Sequence, residues 1–215
     1  MKVAVTRRRE DSAELVARLE ALGHEVVVCP LIEIELIGPE EVDVSGYDWV
    51  IVTSRNGARE LARRMRGEPR RLAAIGPGTA EELPRTPDLV PAESTQEGLL
   101  AELPRPAGRV LFAGAEGARR LLADELDADF VPLYRTRELA PSDFPNADLV
   151  VLASPAAARA YAALGRETPV VSIGPQTTAE ARKLGLEVRG EAGTHDLAGL
   201  TEAVRRIVPP CSSPS

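Results

Sequence analysis

The feature that most constrains the fold is that the chain repeats itself once. Asp48-Trp49-Val50-Ile51-Val52-Thr53-Ser54 recurs as Asp148-Leu149-Val150-Val151-Leu152-Ala153-Ser154, Ile75-Gly76-Pro77-Gly78-Thr79 as Ile173-Gly174-Pro175-Gln176-Thr177, and Cys29-Pro30-Leu31 as Val131-Pro132-Leu133. The three motifs keep their order, and an offset of about 100 residues denotes a duplicated domain, since solenoid repeats run about 20–50 residues. Around them, short β-branched runs alternate with longer amphipathic ones. Strands are expected at Val3–Val5, Glu25–Cys29, Trp49–Thr53, Leu72–Ile75, Leu89-Val90, Val110–Ala113, Phe130–Leu133, Leu149–Ala153, Val170–Ile173 and Glu187-Val188. Helices are expected at Asp11–Leu22, Gly57–Met65, Thr79–Leu83, Glu97–Leu103, Gly117–Leu126, Ala156–Leu164, Thr177–Leu184 and Ala198–Ile207. Such alternation implies α/β architecture, with parallel sheets flanked by helices on both faces. Taken alone, the repeat would divide the chain into two contiguous halves, with extended pieces at Leu31–Ile37 and Leu133–Leu139.

Composition narrows the function classes. A net charge of −7 argues against a nucleic-acid footprint, which needs a basic face. It also means that an anionic ligand would have to be held by local fields. The cations are nearly all arginine, whose planar fork suits carboxylates. Aromatics make up 3 %, so Leu, Val, Ile and Ala must build the core. Cys29 and Cys211 form no disulfide or metal framework. Met1 runs directly into a strand without a secretory pattern, and no apolar run approaches the roughly 20 residues of a membrane helix. A soluble, cytoplasmic protein with no membrane contact is expected, with a disordered tail over 209–215.

Several chemistries lack their motifs. His24 and His195 lie in separate elements, and His24, just after the helix-stopping Gly23, is expected at that helix's C-terminus. There is no P-loop, no complete dinucleotide fingerprint and no nucleophile elbow. What remains is a set of small polar strand-to-helix turns: Thr6-Arg7-Arg8, Thr53-Ser54-Arg55-Asn56, Gly76-Pro77-Gly78-Thr79, Gly114-Ala115-Glu116, Ser154-Pro155 and Gly174-Pro175-Gln176-Thr177-Thr178. In parallel sheets these turns share the carboxyl edge, where ligands bind. Helix N-termini there can hold anions without net positive charge. Each turn read singly is equally an ordinary cap. Tyr134, in Leu133-Tyr134-Arg135-Thr136, is either a packing aromatic or a phenol acting as a weak acid; its residue type leaves both open.

In sequence order, Val5-Thr6-Arg7-Arg8, Pro30-Leu31-Ile32-Glu33-Ile34, Val52 to Gly57, Ile75 to Ala80, Val131 to Thr136, Ser154-Pro155 and Ile173 to Ala179 resemble the motifs of the uroporphyrinogen-III synthase family over nearly the whole chain. The resemblance implies two similar α/β domains joined by a two-stranded linker with a cleft between them, and hinge motion about it. One domain would combine residues 1–35 with 138–208, and 36–137 would form the other. It implies a lyase of porphyrin and heme biosynthesis that closes hydroxymethylbilane, a linear tetrapyrrole, into uroporphyrinogen III with loss of water and inversion of the terminal ring, without cofactor or metal. By that resemblance Tyr134 would assist departure of the hydroxyl. Thr53, Ser54, Ser154, Thr177 and Thr178 would hold substrate carboxylates, and Arg7 and Arg8 are candidate counter-charges. Thr6, Arg55, Asn56, Gly76, Thr79, Gly114, Gly174 and Gln176 complete the expected substrate-binding set. A monomer in transient contact with the enzyme that makes hydroxymethylbilane is expected. Two departures stand out: Ala156-Ala157 replace a polar or glycine residue common in relatives, and Gln176 stands opposite Gly78. The alternative reading is a non-catalytic ligand-binding or regulatory module on the same fold.

Overall fold

The computed structural model describes residues 1–207; the expected disordered tail at 209–215 lies outside the described residues. The strands are β1 (Lys2–Val5), β2 (Glu25–Val28), β3 (Ile32–Leu36), β4 (Val42–Asp43), β5 (Trp49–Val52), β6 (Met65–Arg66), β7 (Leu72–Ala74), β8 (Val110–Ala115), β9 (Asp129–Glu138), β10 (Leu149–Leu152), β11 (Val170–Ser172) and β12 (Val188–Glu191). The helices are α1 (Ala13–Ala21), α2 (Arg55–Arg64), α3 (Pro77–Ala80), α4 (Gln96–Glu102), α5 (Leu121–Leu126), α6 (Pro155–Ala163), α7 (Pro175–Lys183) and α8 (Leu197–Ile207). The described residues form two compact units, one made of 1–33 with 137–207, the other of Ile34–Thr136.

The first unit is built on a sheet of order β12-β11-β10-β1-β2, every neighbouring pair parallel. Numbered by their order within the unit, its strands run 2-1-3-4-5, one of the common doubly wound orders. The N-terminal strand therefore sits inside a sheet otherwise completed by the last third of the chain, with Val3 opposite Leu149 and Val5 opposite Val151. Val3, Val5, Leu149, Val151 and Val171 pack on Leu15 and Leu19 of α1 and Leu200 and Val204 of α8. Their neighbours Ala4, Val150, Leu152 and Val170 face the other way, onto Ala157, Ala158 and Tyr161 of α6 and Ala181 of α7. Burial on both faces explains why these strands read as unbroken apolar runs rather than alternating ones.

The second unit repeats this arrangement. Its sheet has the order β3-β9-β8-β5-β7, and β9, β8, β5 and β7 are mutually parallel neighbours. A single bridge from Ala73 to Leu89 stands where the first unit has β12. By the sequence repeat, β5 corresponds to β10 and β7 to β11; by position, β8 corresponds to β1 and β9 to β2. The same order results, with the chain entering at a different strand. Val50, Val52, Leu72, Leu111 and Ala113 bury Ala58 and Leu61 of α2, and the opposite face packs Trp49, Ile51 and Phe112 on Leu99 of α4 and Leu122 of α5. Asp48 and Asp148 make matching ties: Asp48 accepts the Arg109 N–H at 2.9 Å and Asp148 the Lys2 N–H at 2.7 Å, each holding its strand to its neighbour.

Some expected elements differ. The helix expected over Gly117–Leu126 begins only at Leu121, because β8 continues to Ala115 beside Tyr134 and the Glu116 N–H then donates to the Tyr134 carbonyl. Met65 leaves the expected helix to pair with Val42 as a two-residue strand. Phe130–Leu133 and the extended piece after it are one strand, β9. The start of the expected Thr79–Leu83 helix moves forward to Pro77, a residue suited to a first helical turn.

Candidate active site

In doubly wound sheets ligands bind beyond the carboxyl ends of the strands, at the point where the strand order reverses. In the first unit that point lies between β1 and β10, followed by Thr6 and Ser154; in the second it lies between β8 and β5, where Gly114 and Thr53-Ser54 stand.

The second unit's edge is organised around Ser54. Its side chain caps α2, its Oγ accepting the Gly57 N–H at 3.0 Å. The same Oγ is hydrogen-bonded to the Tyr134 hydroxyl at 2.9 Å. Tyr134 is only 6 % exposed, its ring in the cluster with Val52, Ala113 and Leu133. It thus packs as a core aromatic and also carries a placed hydroxyl. Thr53 lies over Gly114: a Cβ there would come within 3.9 Å of the Thr53 Oγ1. Arg55 is exposed, pairs with Glu81 and Glu82, and lies over Gly78. Asn56 is half-buried in the first turn of α2. Gly76 caps α3 and sits so close to Ser94 that a Cβ would stand 2.6 Å from its Oγ. Thr79 is 5 % exposed.

In the first unit, Ser154, Pro155, Gly174, Gln176, Thr177 and His195 line a pocket of about 350 Å³. Ser154 caps α6, accepting the Ala157 N–H at 3.1 Å. Ala157 thus fills the place of Gly57 without disturbing the cap. Gly174 caps α7, and the His195 ring lies directly on it, in the place that Ser94 occupies over Gly76. Other expected ligands are already committed within the unit. The Thr6 hydroxyl, fully buried, donates to the Val151 carbonyl at 2.8 Å. Thr178 shares a 2.5 Å hydrogen bond with Ser172. Arg7 donates to the Asp11 carbonyl, and burial holds its guanidinium below the usual arginine range, opposed mainly by Asp11. Arg8 pairs with Glu10 and Asp11.

His195 is the titratable lining residue that the sequence reading missed. The signal was present in the repeat: Gly98 and Gly199 each follow a capping side chain by three positions, Thr95 and Asp196, which accept their N–H groups at 2.9 and 2.7 Å. Aligning those caps sets His195 opposite Ser94. His24 has its N–H bonded to the Leu19 carbonyl at the end of α1, while burial and the nearby N-terminus lower its ring pKa. Among the described residues no group of three or more His, Cys, Asp or Glu could hold a metal ion.

Fold and site together define a duplicated doubly wound α/β protein whose polar groups gather at the strand ends of both copies. The family model described as uroporphyrinogen-III synthase HemD matches residues 13–202, and the chain belongs to that family. The uroporphyrinogen-III synthase of Synechococcus elongatus is 26 % identical over 253 residues, covering 95 % of this chain and 94 % of its own. A relative from Methanocaldococcus jannaschii is 29 % identical over 151 residues, and the chain spans 63 % of that relative's length. In fold, the chain resembles the crystal structure of a mutant uroporphyrinogen III synthase from the extremely thermophilic bacterium Thermus thermophilus, with TM-score 0.60 and 17 % identity over 96 % of this chain and 98 % of that one.

Proposed function

We propose that this protein is a uroporphyrinogen-III synthase, converting hydroxymethylbilane to uroporphyrinogen III with inversion of the terminal pyrrole and loss of water. The observation that carries the reading is the Tyr134–Ser54 pair in a chain of this family. The phenol is held by one hydrogen bond at the strand-end edge, beside a helix N-terminus.

The substrate is reactive and closes unaided to the uninverted isomer, so the enzyme's task is orientation and stabilisation of cationic intermediates. In the first step the bond from the terminal carbon to its hydroxyl breaks, and the leaving oxygen takes a proton to depart as water. Tyr134 supplies that proton. Ser54 already accepts from Gly57, and its own O–H can donate to the Tyr134 oxygen. That direction frees the phenol proton for the leaving group and stabilises the phenolate left behind, with help from the positive end of α2. Attack by the terminal pyrrole forms the spiro intermediate, whose breakage and reclosure invert that ring. The proton released when the pyrrole regains aromaticity balances the one lent by Tyr134. Substrate carboxylates are held at the strand-end turns by hydroxyls that remain unengaged, Thr177 and Thr79, together with Ser154, Thr53 and neighbouring backbone N–H groups.

The test is consumption of hydroxymethylbilane by native protein and by Tyr134→Phe, each against the spontaneous rate. Native protein is expected to exceed that rate, with the variant well below native. A native protein no faster than buffer would remove the enzyme reading.

A further inference from the structure

We propose that His195 makes the first unit's pocket a pH-gated subsite for a carboxylate arm of the tetrapyrrole, its imidazolium binding the anion. The inference rests on the reading above and adds to it a specificity-determining residue.

Four observations carry it. First, the pocket's walls are otherwise neutral: apart from His195 they consist of small, apolar, amide and hydroxyl residues, so the imidazole is the one lining group that can become cationic. Second, Thr177 lines the same pocket at 2 % exposure, yet its hydroxyl has no hydrogen-bond partner among the described residues. No buried side-chain polar atom is left unpaired among the described residues, so that hydroxyl keeps access to solvent at the pocket that Thr177 lines. The His195 ring likewise makes no hydrogen bond among the described residues. A hydroxyl and an imidazole, both uncommitted on one small concavity, match an acceptor with two lone-pair directions, such as a carboxylate.

Third, the ring's place depends on Gly174. A Cβ there would lie 2.7 Å from Cδ2 and 2.9 Å from Nε2 of His195, so only glycine lets the imidazole edge rest against the backbone. Fourth, the duplicated scaffold supplies an internal comparison. The second unit has the same close approach, but between Gly76 and the neutral Ser94. One copy of the repeat thus offers a titratable cation where the other offers a hydroxyl.

The surrounding charges leave His195 to set the pocket's response. Asp196, its neighbour in sequence, is committed to the Gly199 N–H and the Thr194 hydroxyl, with Arg18 of α1 acting on it. On α6 and α7, Arg159 pairs with Glu138 and Glu180, and Lys183 lies 4.0 Å from Glu180. On β12, Arg189 pairs with Glu187, and on α8 Glu202 pairs with Arg205 and Arg206. None of these side chains lines the pocket.

A carboxylate beside an imidazole favours its charged form. Binding therefore weakens as pH rises and the ring loses its proton.

The chain has only two histidines, so both can be followed by NMR. The experiment titrates native protein from pH 5 to 9, free and saturated with uroporphyrin III, an octacarboxylate, and measures porphyrin affinity by fluorescence at each pH. The His195 ring signals are expected to move on porphyrin binding, most at pH 6, while those of His24 stay unmoved. Affinity should fall about tenfold across the titration. In His195→Ser, the residue type of the other copy, the affinity should become nearly independent of pH, and KM for hydroxymethylbilane should rise several-fold at pH 6 but little at pH 8.5. Sodium propionate at the same carboxylate concentration separates a tetrapyrrole arm from any small acid, and is expected to shift His195 far less. His195 ring signals indifferent to saturating porphyrin, or a pH dependence that survives in His195→Ser, would overturn the inference. If porphyrin binds and ring inversion proceeds while either of those holds, only this inference fails. If native protein binds no porphyrin at any pH, the proposed function falls with it.

Discussion

At Ser54 one oxygen serves two purposes: it caps α2 through the Gly57 N–H and holds the Tyr134 hydroxyl. The two can be separated by comparison with Thr95, which caps α4 through the Gly98 N–H and has no tyrosine. Loss of either cap to alanine is expected to cost about 0.5–2 kcal/mol in denaturant melts. Only Ser54→Ala should also lower kcat, by roughly tenfold, less than the about 10²–10⁴ of a positioned proton donor because Ser54 acts through Tyr134. Equal kcat losses in both variants would reduce Ser54 to a structural cap. Tyr134→Phe keeps the ring in its core cluster and removes only the hydroxyl, so turnover should fall by about one to two orders of magnitude with the fold intact. Thr178→Ala should cost activity little, because its hydroxyl is bonded to Ser172 and neighbouring donors remain. The sequence showed which turns were polar. It could not show which hydroxyls stay free, because partners such as Val151 for Thr6 lie across a sheet, 145 residues away in sequence. His195 was missed for a related reason: its role depends on a contact with Gly174, and no single motif contains both residues.

At the scale of elements, one close approach occurs in both copies. A Cβ on Gly98 would lie 2.2 Å from the Glu93 carbonyl oxygen, and one on Gly199 2.1 Å from that of Thr194. Backbone cannot yield as a side-chain tip can, so Gly98→Ala and Gly199→Ala should each cost about 1–3 kcal/mol. Arg64 ends α2 with its side chain 3 % exposed, paired with Glu60 and donating to the carbonyls of Ile37, Pro39 and Leu133. It thereby ties the chain beyond β3, and β9 just before Tyr134, to the helix. Removing one partner of so buried a pair costs about 3–5 kcal/mol, so Arg64→Ala should show a large loss in thermal melts. A loss under about 1 kcal/mol would mean that water replaces the guanidinium. The long elements were readable because buried parallel strands leave apolar runs and helices leave a spaced stripe. The pair of β4 and β6 was not, since two residues carry no period, and the short α5 was masked by a helix-like run through Gly117 and Ala118.

At the scale of the molecule, the repeat read from sequence is also a repeat of topology, cap and strand tie. The interior position of β1 was not legible from the repeat itself, which points to two contiguous halves; it is set by the pairing of β1 with β10 on one side and β2 on the other. Acid stability should expose the ties. The Arg109 N–H and then Arg70 hold Asp48 below the usual carboxylate range, and the Gly199 N–H and Thr194 do the same for Asp196. Arg205 and Arg206 lower Glu202 to about 2. Acids with depressed folded pKa values contribute stability above their unfolded values, near about 4, and lose it as pH falls through the folded ones. The thermal midpoint should therefore drop below about pH 4, and Asp48→Asn should flatten part of that acid limb. The central claim, ring inversion by this scaffold, is tested most directly by the isomer formed. Hydroxymethylbilane generated in situ is incubated with the protein, and the oxidised product is resolved into type I and type III porphyrin. The account predicts predominantly type III; type I alone, from folded protein, would contradict it.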